Sequence, residues 1–90
     1  MSRADALDRT LAALADPARR SVIELLRKRP RRSGELAAQL ELSAPAMSRH
    51  LRALRDAGLV ALQPLGDDGR ARLYQLQPGP LAALRSWLGS

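Results

Sequence analysis

Apolar side chains recur at three- and four-residue spacing along most of this chain, and that rhythm breaks only between Leu59 and Gln77. Leu7, Leu11 and Leu14 predict a first helix from Asp5 to Ala15. Asp16-Pro17 is a start signal for a second, with Asp as N-cap and Pro at the first helical position. Val22, Ile23, Leu25 and Leu26 give that helix a wide buried stripe. Pro30 ends it, because the residue before a proline resists the helical region. Ser33 is the expected cap of a third helix, with Leu36, Ala37 and Leu40 facing inward and Leu42 filling the turn that follows. Ser43 caps a fourth helix with Pro45 in its first turn. Gly58 suits the left-handed position that closes it.

Leu59 to Leu65 and Arg70 to Gln77 then read as two strands around the loop Gly66-Asp67-Asp68-Gly69. Pro64 cannot donate to a ladder, so its strand is an edge there. Tyr74 and Leu76 share a strand face and are expected to pack inward. Pro78-Gly79-Pro80 separates the hairpin from a last short helix, Leu81 to Leu88. The expected fold is mainly α with a small β-hairpin, in the order α-α-α-α-β-β-α. A length of 90 residues, with no repeat or low-complexity run, predicts one domain over residues 1–90.

The fourth helix carries the candidate chemistry. Successive helical residues turn by about 100°. Measured from Met47, Leu51 and Leu54 fall within about 40° and define an apolar back. Pro45, Ser48, Arg49, Arg52 and Asp56 fall on the opposite side. A short capped helix, a tight turn and a second helix with a cationic front suit the major groove of DNA, where the N-terminal half of the second helix meets base edges. Arg49 and Arg52 are candidates for guanine O6 and N7 or for phosphates, and Ser48 is short enough to permit close approach. Without its neighbours, the same pattern would describe an ordinary amphipathic helix with a solvated face. His50 lies at the edge of the apolar stripe, either donating to a phosphate or satisfied and half-buried.

Charge supports a polyanionic partner: 15 Lys and Arg against 9 Asp and Glu give a net charge of +6. All the cationic side chains but Lys28 are arginines, whose planar fork matches phosphate and guanine edges, although a GC-rich genome would produce the same preference. Arg27, Lys28, Arg29, Arg31 and Arg32 crowd the end of the second helix, where cations complement its dipole. Arg31 and Arg32 also stand just before the third helix, in reach of phosphates flanking the groove. Arg70 and Arg72 follow the hairpin loop and are expected to touch DNA at the base of a wing, because Asp67 and Asp68 would repel phosphate from its tip.

With no cysteine, disulfides, thiolate metal sites and cysteine nucleophiles are excluded. One histidine and no phosphate-cradling glycine loop leave no nucleophile with its base, so an enzyme is not expected. No signal-peptide core or membrane-spanning apolar run is visible, and a cytoplasmic protein is the expectation. The remaining alternative is a winged-helix module that binds partner proteins without specific DNA binding.

Leu14-Ala15-Asp16-Pro17-Ala18-Arg19-Arg20, the run from Leu42-Ser43-Ala44-Pro45 through Met47-Ser48-Arg49-His50-Leu51-Arg52-Ala53-Leu54-Arg55-Asp56-Ala57-Gly58-Leu59-Val60, and Tyr74-Gln75-Leu76 resemble the ArsR/SmtB family of bacterial winged helix-turn-helix regulators. The resemblance implies a homodimer joined through the first and last helices, repressing by occupying an operator in double-stranded DNA. It places Ala44, Pro45, Ser48, Arg49, His50 and Arg52 on the DNA side. It assigns Leu7, Leu11, Leu81, Leu84, Trp87 and Leu88 to the dimer interface, which the short last helix would limit. Many members sense metals through cysteines on the third helix or Asp/His sets on the last. Here Ser33 to Leu42 has no Cys or His, and Leu81 to Leu88 has no His, Asp or Glu. The resemblance is therefore to metal-free members, with no cofactor expected and no effector specified by the sequence.

Overall fold

The computed structural model describes residues 2–64 and 72–89. Its elements are α1 (Arg3–Leu14), α2 (Pro17–Lys28), α3 (Ser33–Leu40), α4 (Ala44–Asp56), β1 (Val60–Leu62), β2 (Tyr74–Leu76) and α5 (Gly79–Leu88). This is the expected order, with the helix-turn-helix in α3 and α4 and the hairpin in β1 and β2.

Local capping sets most boundaries. The Asp16 carboxylate accepts from the N–H groups of Ala18 (2.7 Å) and Arg19 (3.3 Å), with Pro17 opening α2. Ser43 Oγ accepts from Ala46 N–H at 3.2 Å and starts α4. At the other end of α4, Gly58 takes φ +76°. Its N–H donates to the Arg55 carbonyl and that of Leu59 to the Leu54 carbonyl, both at 2.9 Å, the paired closure of a Schellman motif.

Several boundaries differ from expectation. The first helix starts at Arg3 rather than Asp5, because Ser2 closes a capping box with Asp5. Ser33 is not the cap of α3: Arg32 occupies that position with no side-chain cap bond, and Ser33 is already helical. The triplet at 78–80 does not stand apart from the last helix, since α5 starts at Gly79. A proline in the first turn removes only an N–H that has no intrahelical partner. The strands are short, pairing Val60 with Leu76, Ala61 with Gln75 and Leu62 with Tyr74. Hydrogen bonds from Gln63 N–H to the Leu73 carbonyl and from Gln77 N–H to the Leu59 carbonyl, both 2.8 Å, extend the pairing.

The core joins Val22, Ile23 and Leu26 of α2, Leu36 and Ala37 of α3, and Met47, Leu51 and Leu54 of α4 to Ala13, Leu59 and Val60. Tyr74 and Leu76 pack against it from the hairpin, as their shared face predicts. Burial of a full aliphatic side chain contributes about 1.5–3 kcal/mol. Leu36, Met47, Leu51 and Leu54, all almost completely buried, therefore fix α3 and α4 as one unit. Between them Glu41 adopts the left-handed conformation at φ 56°, and the Leu42 N–H donates to the Ala37 carbonyl at 2.9 Å. α1 packs against α2 and α5, and α5 has no buried residue of its own.

Two glycine substitutions are expected to act in opposite directions. A Cβ on Gly58 would meet nothing closer than 3.8 Å, so the cost of Gly58→Ala is its positive φ, about 1–2 kcal/mol. Gly34, with open space around it in α3, should gain up to about 0.5 kcal/mol as Ala. Urea unfolding of both variants measures the two signs.

Candidate nucleic-acid interface

α4 carries its functional side chains on a face fixed by what it buries. Met47, Leu51 and Leu54 are at most 1% exposed. The opposite residues Pro45, Ser48, Arg49 and Arg52 are exposed, as is Ala44 at the start of the helix. Neither Arg49 nor Arg52 forms an ion pair with any described residue. Arg55, exposed in the last turn, adds a cation that the two-faced pattern did not single out. Its position about 80° from Met47 puts it on the flank.

Most cations of α2 and the segment after it are engaged. Arg27 pairs with Glu24 at 3.0 Å, and Arg19 lies 3.9 Å from Asp16. Arg20 donates to the carbonyls of Leu14 (2.7 Å) and Ala15 (3.1 Å), ordering the turn between α1 and α2. Arg29 and Arg31 converge on Glu35 Oε2, at 2.6 and 2.8 Å. Of the cations from Arg27 to Arg32, Lys28 and Arg32 have no ion pair with a described residue, and on α4 the same holds of Arg49, Arg52 and Arg55.

Arg31 departs most from expectation. It is 6% exposed, not displayed toward a phosphate. Its Nε donates to the Leu25 carbonyl at 3.1 Å while its guanidinium meets Glu35. Its backbone exchanges hydrogen bonds with Tyr74, N–H to carbonyl at 3.0 Å and the reverse at 2.8 Å. One residue thus ties the end of α2, the start of α3 and the hairpin together. Arg32, its neighbour, is exposed. Arg72 is also exposed before β2, whereas Arg70, Asp67 and Asp68 lie outside the described residues.

His50 is half-buried. Partial burial raises the pKa of the Asp16 carboxyl, but hydrogen bonds from Ala18 and Arg19 and the charges of His50 and Arg19 outweigh it and hold it below its ordinary value. At Glu35 the Arg29 hydrogen bond dominates. Burial opposes it, Arg31 adds to it, and the carboxyl is again lowered.

The terminal helices present Leu11, Trp87 and Leu88 at 43%, 56% and 69% exposure. Leu7 and Leu84 are half-buried. Leu81 is half-buried and packs against the protein's own core. Among the described residues, no group of three or more His, Cys, Asp or Glu side chains could hold a metal ion. No helix among them is long and apolar enough to cross a membrane.

Residues 16–61 match the family model for bacterial regulatory proteins of the arsR family, a stretch that runs from the Asp16 cap into β1. The chain belongs to the arsR family. A relative within this similarity is the HTH-type transcriptional regulator Rv2034 of Mycobacterium tuberculosis, 48% identical over 79 residues that cover 88% of this chain and 71% of the relative. The transcriptional repressor SdpR of Bacillus subtilis is 29% identical over 55 residues, 61% of each chain. Among solved structures, the homodimeric winged helix-turn-helix DNA-binding domain of Mb0332 from Mycobacterium bovis superposes with a TM-score of 0.76 at 25% identity, covering 94% of this chain and 76% of that one. The arsR match covers the helix-turn-helix itself; β2 and α5 lie beyond it.

The engaged and free arginines of this arsR-family chain should respond differently to truncation. Arg31→Ala removes a buried charge from Glu35 and should cost about 2–3 kcal/mol in urea unfolding. Arg32→Ala should stay within about 0.5 kcal/mol of the parent. Acid titration gives a second measurement. Asp16 and Glu35 are lowered on folding, so the stability they contribute is present above their ordinary pKa and lost as pH falls through the lowered values. Stability should hold from neutral pH to about pH 5 and fall below about pH 4, with a shallower acid limb in Glu35→Gln.

Proposed function

We propose that this chain is a sequence-specific transcriptional regulator that binds double-stranded DNA as a homodimer and represses by occupying an inverted-repeat operator. The observation that carries this reading is the ridge on α4. Arg49 and Arg52 project opposite a buried apolar stripe and form no ion pair among the described residues. The ridge reads base edges, Arg32 and Arg72 contact flanking phosphates, and Arg70 belongs with them at the wing base. Residues 1–90 act as one unit, working in the cytoplasm where nucleoid DNA lies. The homodimeric Mb0332 domain and the repressor SdpR support the assembly and the sign of regulation.

In the dimer, the exposed Leu11, Trp87 and Leu88, with Leu7 and Leu84 beside them, cover one another across a two-fold axis. That axis sets the two α4 helices about 34 Å apart, one helical turn of DNA. Phosphate contacts supply most of the affinity, and α4 supplies the selectivity.

Selection of bound oligonucleotides from a random pool, followed by affinity measurement from low to moderate salt, tests the reading. The expected result is an inverted repeat and a steep loss of affinity with salt, since each neutralised phosphate releases counterions. Arg49→Ala with Arg52→Ala should weaken binding to the selected DNA by about 1–3 kcal/mol for each arginine that pairs with a base, while leaving the fold intact. A flat salt slope and unchanged affinity in the double variant would overturn the proposal and favour a protein-binding module.

A further inference from the structure

Tyr74 stands at the outer end of the β1–β2 ladder, where it pairs with Leu62. On its other side it is bridged to Arg31: its N–H donates at 2.8 Å and its carbonyl accepts at 3.0 Å. Arg31 thus serves as a one-residue third strand where the hairpin leaves the body. The exposed Arg72 lies two residues further out, at most about 7 Å away along the chain. The side chains of Tyr74 and Leu76 hold the strand against the core, but apolar contact is non-directional. Hydrogen bonds fix the strand's position, and those to residue 31 are only as well placed as residue 31 itself.

The Arg31 side chain supplies that placement. Its Nε donates to the Leu25 carbonyl, one of the last four of α2, and its guanidinium meets Glu35 in the first turn of α3. Both bonds are made by a buried group, where they are stronger than in water. We propose that Arg31 is a positioning residue for DNA binding: without touching DNA, it sets where Arg72 meets a phosphate relative to the ridge on α4. The same guanidinium engages α3, which packs on α4 through Leu36 and Ala37, so one side chain relates wing base to ridge. Arg29 also reaches Glu35, at 2.6 Å, but it is exposed and has no backbone bridge to the hairpin among the described residues. It keeps Glu35 paired when Arg31 is truncated and does not replace the anchor. This role rests on the DNA-binding reading.

The test uses the full chain and duplexes selected from a random pool, with anisotropy measured over a range of salt concentrations. Each neutralised phosphate contributes about 0.9 to the salt slope, so losing one contact from each protomer of a dimer lowers it by about 1.8. Arg72→Ala should show that fall. Arg31→Met, which keeps an unbranched stem and removes the donors, should show most of it. The double variant should fall no further than Arg72→Ala, because the two residues act through one contact. Arg31→Lys keeps the charge beside Glu35 without the rigid fork and should lie between Arg31→Met and the parent. It serves alone if circular dichroism shows Arg31→Met unfolded. Ile23→Val, a core truncation in α2, should lower the urea midpoint and leave the slope unchanged.

An unchanged slope in a folded Arg31 variant or in Arg72→Ala, additive losses in the double variant, or an equal fall in Ile23→Val overturns the positioning role. Non-additivity with Arg32→Ala in place of Arg72→Ala assigns Arg31 to phosphates beside α3 and overturns it equally. A parent chain with a flat slope and no preferred sequence removes the DNA-binding reading and this role with it. A parent with a steep slope and a selected sequence, beside unaltered Arg31 variants, confines the failure to Arg31.

Discussion

The burial of Met47, Leu51 and Leu54 fixes the rotation of α4 about its own axis, and the exposed chemistry of the molecule follows from that angle. A helix free to roll would present Arg49 and Arg52 to solvent in many directions. Packed against Leu36, Val22 and Leu26, it presents them in one. Caps at both ends reinforce the setting. Ser43 fixes where the helix begins, and the Gly58 closure turns the chain directly into β1. The hairpin strands are therefore positioned by the same element that carries the ridge.

Arg31 extends this rigidity around the back. A buried guanidinium is tolerated only where its charge and hydrogen-bonding groups find partners. Here the Leu25 carbonyl and the Glu35 carboxylate provide them, while the backbone of the residue pairs with that of Tyr74. The residue spends its charge on architecture, while neighbouring cations stay in solvent. Charge density along a sequence is therefore a poor guide to where the electrostatic surface lies: a run of arginines contributes fewer accessible positive charges than its count suggests.

The elements that were legible in the sequence are those whose signals are local. Asp16-Pro17, the Ser43 cap before Pro45, and Gly58 each act through hydrogen bonds or dihedral preferences within a few residues, and each holds in the structure. The two faces of α4 were legible for the same reason, since helical periodicity alone separates Met47 from Arg49. The burial of Arg31 was not legible, because its backbone partner Tyr74 is distant in sequence and is brought close only by the fold. The start of α1 was missed because the Ser2 box uses the shorter Asp5 in place of the usual Glu or Gln. Leu81 and Trp87 were grouped together, yet they lie about 120° apart around α5, and one packs against the core while the other is exposed.

That no residue of α5 is fully buried has a thermodynamic consequence. Ten residues of helix, uncapped by any side chain at the first turn, are marginal by themselves in water. The segment is therefore the part of the fold nearest to local opening, with α2 and α4 at the other extreme. Any molecule or second chain that covers its outer surface adds stability that depends on its own concentration. The order of this terminal segment is thus set by mass action in its surroundings, while the helix-turn-helix beside it draws its order from within the chain.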